Sequence, residues 1–251
     1  MLRFLESMQF VLFVFFTAAY AYQIVYLFVG LIGKGRGGRE NAKLHRYAAV
    51  VAARNESAVI ANLIRTLKEQ NYPSELLDIY VIADNCTDNT AQISRQAGAY
   101  VYERFNKVQV GKGYALEYLF HHIFEDKGET AYDGFFVFDA DNIVDRDFVR
   151  EMNKMFDTGE YTALTSYRNS QNFCANWISA GYALWFLRES RFLNRPRTQL
   201  GVNCAVSGTG FLVSAQAVRE DAGWPYHLLT EDIEFSIACA TRGRRIGYCG
   251  K

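Results

Sequence analysis

The sequence has no excess of either charge. Its 27 Lys and Arg stand against 27 Asp and Glu, so the composition calls for no polyanionic partner. It has no C-x-x-C pair. The five cysteines (Cys86, Cys174, Cys204, Cys239 and Cys249) are scattered and odd in number, so neither a zinc knuckle nor a disulfide framework can be read from them. A reduced, cytosol-facing compartment is the simpler inference. Gly111-Lys112-Gly113 lacks both the glycine five residues earlier and the following Ser or Thr of a phosphate-cradling P-loop, which argues against NTP hydrolysis by that route. No G-x-G-x-x-G follows the first apolar run, so a dinucleotide oxidoreductase is poorly supported. The histidines, His45, His121, His122 and His227, form no Ser-His or Cys-His arrangement, and His227 reads as structural although it lies near Thr230. Internal repeats and low-complexity segments are absent as well.

One long uncharged run is present. From Phe10 to Gly33 the chain carries no charge, and Gln23 is the only strongly polar residue. This is about the length that spans a bilayer as a helix. Ala19-Tyr20-Ala21 resembles a signal cleavage site, but the apolar run continues to Gly33 and only Arg3 marks a basic leader, which favours a membrane anchor. Lys34, Arg36, Arg39 and Lys43 follow, against Glu40 alone, and this basic excess places the following part on the cytoplasmic face of the cell membrane. The expected organisation is a tail over 1–9, a transmembrane helix over 10–33, a flexible juxtamembrane linker over 34–46 and a catalytic domain over 47–251. A strand ending so close to Lys251 leads us to expect that the domain continues beyond it.

From Tyr47 onward strands and helices alternate. Strands are predicted over Tyr47–Ala53, Leu77–Ala83, Tyr100–Glu103 and Gly134–Asp139. The helices between them are expected over 57–70 (Ser57 as cap), 87–98 and 113–124. Such alternation means an α/β fold with parallel strands and crossover helices. Later elements are less regular: a strand near 162–167, a long helix over 172–193, a glycine-bearing strand over 205–213, a helix over 231–242 with Thr230 as cap, and a strand over 245–249. The segment Phe173–Phe192 has two readings. It is either a core helix or a helix at a membrane surface, where Trp and Tyr prefer to sit and where Arg188, Arg191, Arg195 and Arg197 would meet anionic headgroups.

Four polar segments sit at or near the carboxyl ends of the predicted strands: Ala53-Arg54-Asn55-Glu56, Asp84-Asn85-Cys86-Thr87-Asp88, Gly111-Lys112-Gly113 and Asp139-Ala140-Asp141. Ligands of open α/β sheets sit along that edge, so the pattern reads as a nucleotide site. Asp84 could accept hydrogen bonds from a base, Glu56 could hold base or ribose, and Lys112 could sit near phosphates. Two carboxylates one residue apart, Asp139 and Asp141, either repel or share a hard divalent cation. The plainer alternative is an Asp capping a helix near 145–157, with Ser57 and Asp88 likewise as caps. Thr230-Glu231-Asp232 also makes a good helix start, since acids suit the first turn.

Asn55-Glu56, Asp84-Asn85-Cys86-Thr87-Asp88-Asn89-Thr90, Gly111-Lys112-Gly113-Tyr114-Ala115-Leu116, Asp139-Ala140-Asp141 and Thr230-Glu231-Asp232 together, in this order, resemble the family 2 glycosyltransferases of GT-A fold. The resemblance runs from Tyr47 to the end. It implies a nucleoside-diphosphate sugar donor, Mg2+ or Mn2+, inversion at the anomeric carbon, and a saccharide or lipid acceptor in polysaccharide or glycolipid synthesis, with a UDP-sugar as the expected donor. By position, Ala53, Arg54, Glu56 and Asp84 would line the nucleoside, and Lys112 would lie near base or phosphate. Asp139 and Ala140 would face ribose or metal, and Asp141 would ligate the metal. Gly208, Thr209 and Glu231 would border the donor sugar, although a strand kink explains Ser207-Gly208-Thr209-Gly210 nearly as well. Asp232 would be the general base. The sequence departs from the family at Ala83, where many members carry an acid, and at Arg54, where an aromatic is common. It also lacks the Gln-x-x-Arg-Trp motif of processive members. Transfer to a polyprenyl phosphate, a sugar nucleotidyltransferase and an inactive nucleotide-binding scaffold are the alternatives. The second would carry a Gly-rich basic loop after the first strand, which Ala53-Arg54-Asn55-Glu56 is not.

Overall fold

A computed structural model describes residues 2–33 and 35–250; Met1, Lys34 of the expected linker and Lys251 lie outside the described residues. The chain divides into two compact units. One is a sheet unit of Gly37–Ser166 and Asn203–Cys249; the other is a helical unit of the residues before Gly37 and Tyr167–Val202.

The sheet unit has seven strands: β1 Tyr47–Ala53, β2 Leu77–Asp84, β3 Tyr100–Arg104, β4 Gly134–Asp139, β5 Ala163–Ser166, β6 Phe211–Ser214 and β7 Ile246–Cys249. They lie in the order β3-β2-β1-β4-β6-β5-β7. β1 to β4 are mutually parallel, β6 runs antiparallel to both β4 and β5, and β5 is parallel to β7. The strand order reverses between β1 and β4, which makes a switch point in the parallel half.

The strands form because their residues can be buried on both faces. In β4, Phe135 and Val137 face one layer while Phe136 and Phe138 face the other, the two-residue period of a pleated strand. The first layer is helix α5 (Lys112–Lys127), with Leu116, Leu119, Phe120 and Ile123 inward, together with Trp224 and Phe235. The second is α3 (Ile60–Lys68) and α6 (Phe148–Phe156), which present Leu63, Ile64, Met152 and Met155. Each such side chain, fully buried, contributes roughly 1.5–3 kcal/mol.

Several boundaries differ from the sequence expectation. α3 starts at Ile60, not Ser57, because the Ser57 amide donates to the Asp88 carboxylate at 3.2 Å and the first residues form a turn; Ser57 is not its cap. α4 (Thr90–Gln96) starts three residues later than expected, while Asp88 Oδ1 accepts from the Thr90 amide at 3.0 Å. α6 begins at Phe148 after Asp147, so neither Asp139 nor Asp141 caps it. Thr230 precedes α10 (Glu231–Thr241) without a side-chain capping bond. β6 starts only at Phe211, because Gly208 (φ 68°) and Gly210 (φ 65°) take left-handed conformations that a strand cannot use.

The helical unit contains α1 (Leu2–Tyr20) and α2 (Tyr22–Ile32), with a turn at Ala21 between them, so the helix takes in most of the expected N-terminal tail. Arg3–Ile32 is long and apolar enough to cross a membrane, and its surface is exposed except where α2 packs, at Gln23, Tyr26, Val29 and the buried Gly30. The expected helix over 172–193 starts only at Trp177: α7 (Trp177–Glu189) runs into a π-helical turn (Ser190–Asn194), and α8 (Arg195–Gln199) follows beyond the expected range. Gly30 and Gly33 let α2 approach this segment closely. A Cβ on Gly30 would stand 2.5 Å from the Arg191 carbonyl, and one on Gly33 would stand 2.3 Å from the Gln199 amide oxygen. The core reading of Phe173–Phe192 does not hold, since Trp177 is 83% exposed and Trp185 58%.

Candidate active site

The polar loops emerge side by side at the carboxyl edge of the parallel strands. Ala53 pairs in register with Ala83, Ala52 with Asp139, and Asp84 with Arg104. Two asparagines that accept left-handed backbone tie the loops together: Asn55 (φ 57°) joins the first to the second, and Asn85 (φ 53°) joins the second to Asn106 after β3. Asn55 Oδ1 accepts from the Thr87 amide at 2.8 Å, and the Glu56 amide donates to Thr90 Oγ1 at 2.8 Å. Glu56 is half-buried, Arg54 exposed and Ala53 buried. Asp88, with hydrogen bonds from Thr90 and Ser57, has its carboxyl pulled down to about 2. Burial raises the neighbouring Cys86 thiol.

Asp84 is buried, and its carboxylate receives the Arg104 guanidinium at 2.7 Å; both side chains are almost fully enclosed. Arg104 also donates to the Gln109 carbonyl at 2.8 Å. Sequence reasoning missed Arg104. The available signal was a lone arginine at the end of the third strand, which lies opposite Asp84 only once the register is known.

The second cluster gathers residues far apart in the chain. Lys112 Nζ donates to Asp139 Oδ1 at 2.5 Å and to the Gly208 carbonyl at 2.5 Å, and stands 3.5 Å from Glu231 Oε1. Lys112 can reach in because α5 packs tightly at its start: a Cβ on Gly113 would lie 1.9 Å from the Tyr226 carbonyl. The Asp139 amide donates to Thr209 Oγ1 at 2.8 Å. Thr209 in turn donates to Asn142, whose amide reaches Asp141 Oδ1 at 3.2 Å. Asn142 was also missed, though an asparagine directly after Asp139-Ala140-Asp141 was visible. Ala140 is buried and Asp141 exposed. Burial raises the Glu231 carboxyl above its ordinary range, with the Lys112 charge pulling the other way. Asp232 follows on the first turn of α10, half-buried, with Oδ1 accepting from the Ile233 amide at 2.9 Å; its Oδ2 lies 3.7 Å from where a Cβ on Gly208 would stand.

The acidic groups suit a hard cation only in part. Among the described residues no group of three or more His, Cys, Asp or Glu side chains is placed to hold a metal. Asp139 and Asp141 offer oxygen donors at an open edge, the arrangement in which Mg2+ or Mn2+ takes one or two carboxylates and completes its shell with phosphate oxygens and water. The α10 helix is held from behind by Asp221, buried against Arg244 at 2.8 Å and also bonded to Arg242 and Tyr226.

Residues 45–251 match the family model "Glycosyltransferase like family 2". The chain is 27% identical over 203 residues to the beta-monoglucosyldiacylglycerol synthase of Synechocystis sp., covering 79% of this chain and 41% of that protein. It is 27% identical over 206 residues to the poly-beta-1,6-N-acetyl-D-glucosamine synthase of Staphylococcus aureus, covering 79% and 47%. It thus spans less than half the length of these curated relatives. Among solved structures, the mannosyltransferase PcManGT from Pyrobaculum calidifontis, in complex with GDP-Man and Mn2+, superposes with a TM-score of 0.68 at 17% identity, covering 95% of this chain and 67% of that one. That likeness bears on the fold, whose mixed seven-stranded sheet is the GT-A arrangement expected from the sequence. The chain belongs to the family 2 glycosyltransferases.

Proposed function

We propose that this chain is the catalytic part of a membrane-anchored, inverting glycosyltransferase. It moves a sugar from a nucleoside-diphosphate donor, a UDP-sugar in the leading case, to a hydroxyl of a lipid or saccharide. The observation that carries this reading is the meeting of Lys112, Asp139, Gly208 and Glu231 at one point, with Asp232 next along the chain. The related synthases, named for a glucosyldiacylglycerol and a poly-N-acetylglucosamine, support a glycolipid or polysaccharide product. We place Arg3–Ile32 across the cell membrane and the sheet unit on its cytoplasmic side.

In this reading the loops after β1 and β2 hold the nucleoside. Arg104 fixes the Asp84 carboxylate so that its remaining hydrogen-bonding capacity faces the base. Lys112 supplies positive charge to the diphosphate. A divalent cation held by Asp139 and Asp141, with the diphosphate completing its shell, would neutralise charge on the leaving group. Asp232 accepts the proton of the acceptor hydroxyl as that oxygen attacks the anomeric carbon. A single displacement inverts the centre and needs no covalent intermediate.

Two measurements test the reading. Titration calorimetry with UDP, GDP and their sugars, with and without Mn2+, should show metal-dependent nucleotide binding; no binding of any nucleotide sinks the proposal. Asp232→Asn should bind donor as the parent does yet transfer about 10²–10⁴-fold more slowly, the usual contribution of a positioned base. Unimpaired transfer removes Asp232 from that role.

A further inference from the structure

The helical unit carries apolar surface that none of its described residues covers. On α7, Trp177, Ile178, Tyr182, Leu184, Trp185 and Leu187 are all exposed, and Ala183 is the helix's one buried residue. A helix apolar around most of its circumference is stable only when something apolar surrounds it. Its position in the unit says what that is. Arg188, at the end of α7, donates to Gln23 of α2 at 3.3 Å. Arg197 lies over the Tyr26 ring at 6.0 Å, and Arg195 donates to the Gly33 carbonyl at 2.6 Å. The segment Arg188–Gln199 therefore runs alongside α2 from Gln23 to Gly33, a rise of about 15 Å at 1.5 Å per residue. If Arg3–Ile32 crosses a bilayer, this segment shares the last half of its path, with Arg188 beside Gln23 in the acyl region and Arg191 and Gln199 beside Gly30 and Gly33 toward the headgroups.

The charges fit the same place. Arg188 and Arg191 are exposed, and each lies over an aromatic ring, Trp185 at 5.4 Å and Phe192 at 6.0 Å. The nearby acid, Glu189, faces Arg168 at 3.5 Å. Tryptophan beside arginine, apolar below and cationic above, is the composition of a surface seated in an anionic interface.

We propose that α7 and the π-helical turn after it form a lipid-binding face for a bilayer containing anionic phospholipid, with Trp177 and Trp185 against the acyl chains, Arg188 held by Gln23, and Arg191 on the headgroup phosphates. The inference rests on the membrane placement of Arg3–Ile32 and is independent of the transfer reaction.

The sequence contains three tryptophans. Trp224 is buried in the sheet unit, so quenching by brominated lipid reports on Trp177 and Trp185. The full chain is reconstituted into phosphatidylcholine vesicles containing a minority of phosphatidylglycerol, with bromine on the chains of one lipid or the other, and washed with alkaline carbonate. The expected result is strong quenching that disappears in the W177F/W185F variant and is greater with brominated phosphatidylglycerol than its share of the bilayer accounts for. R191Q should lower that excess by roughly two- to fivefold, as a charge at an anionic surface does.

Chain that survives the wash with Trp177 and Trp185 unquenched by bromine and open to acrylamide overturns the inference while leaving the anchor in place. Protection from acrylamide without bromine quenching means a second copy covers the face, and overturns it too. An excess unchanged in R191Q overturns the anionic assignment, and release of the chain by the wash overturns the inference and the anchor together.

Discussion

At the scale of single residues, the pairing of Asp84 with Arg104 is an almost fully enclosed ion pair at the carboxyl edge of the parallel strands. Both side chains are enclosed, so removing one leaves an uncompensated buried charge, which typically costs 3–5 kcal/mol. Arg104→Met should therefore lower the unfolding free energy by about that amount in denaturant titration. The Asp84→Asn/Arg104→Met double variant should recover most of the loss, and full additivity of the two would show that the ion pair is not what holds this edge. Asp88 gives a pH signature. Its folded carboxyl titrates at about 2, below its ordinary 3.8, so it binds its proton less readily in the folded state. The resulting stabilisation is present above pH 4 and is lost as pH falls toward 2. The difference in melting temperature between the parent and Asp88→Asn should be present at pH 6 and close between pH 4 and pH 2. A gap that persists at pH 2 assigns the role of Asp88 to something other than its charge. Asp139, Asp141 and Asp232 could be singled out in the sequence because their neighbours are short and chemically plain. Arg104 and Asn142 could not, because their importance depends on strand register and on a loop folding back onto Thr209.

At the scale of elements, the strands were the most legible part. Tyr47–Ala53 and Gly134–Asp139 form over the residues expected, since a short apolar run buried on both faces has few other options. Helix starts were read too early wherever a side chain from another loop captured the backbone: the Asp88 carboxylate takes the Ser57 amide, and the helix waits for Ile60. The helix over 172–193 looked continuous because apolar residues are spread around it; the sequence showed neither the π-helical turn nor the exposure of Trp177. α5 lends itself to a sharp test. Gly113 lies inside that helix, where alanine ordinarily gains about 1 kcal/mol over glycine. Here a Cβ would stand 1.9 Å from the Tyr226 carbonyl, a backbone atom that cannot turn aside. Overpacking costs about 1–3 kcal/mol, so the steric term wins. Gly113→Ala should lower the melting temperature and weaken nucleotide binding through displaced Lys112; a stabilised variant would mean that the segment after Gly223 yields easily.

At the scale of the molecule, the site is assembled from two stretches of chain that enter the sheet differently. Residues up to Asp139 arrive in parallel strands, each followed by its own loop. Residues from Asn203 arrive through β6, which inserts antiparallel between β4 and β5 with Gly208 just ahead of it, and through the start of α10, which brings Glu231 and Asp232 to the same edge. Alternating strands and helices announced the first stretch; the reversal of β6 has no counterpart in periodicity, because a four-residue apolar strand reads the same in either direction. Lys112 joins the two stretches, with its ammonium on Asp139 from the first and on Gly208 and Glu231 from the second. A donor diphosphate placed at Lys112, as proposed, would draw the ammonium off Gly208 and Glu231 and open their side of the pocket to acceptor, while the Asp139 amide keeps Thr209 on β4. Acceptor should accordingly bind well only after donor, giving a compulsory order with donor first. Product-inhibition kinetics should show the nucleoside diphosphate competing with donor alone, and Lys112→Met should convert the order to a random one. Random order in the parent enzyme would mean that Lys112 does not govern acceptor entry.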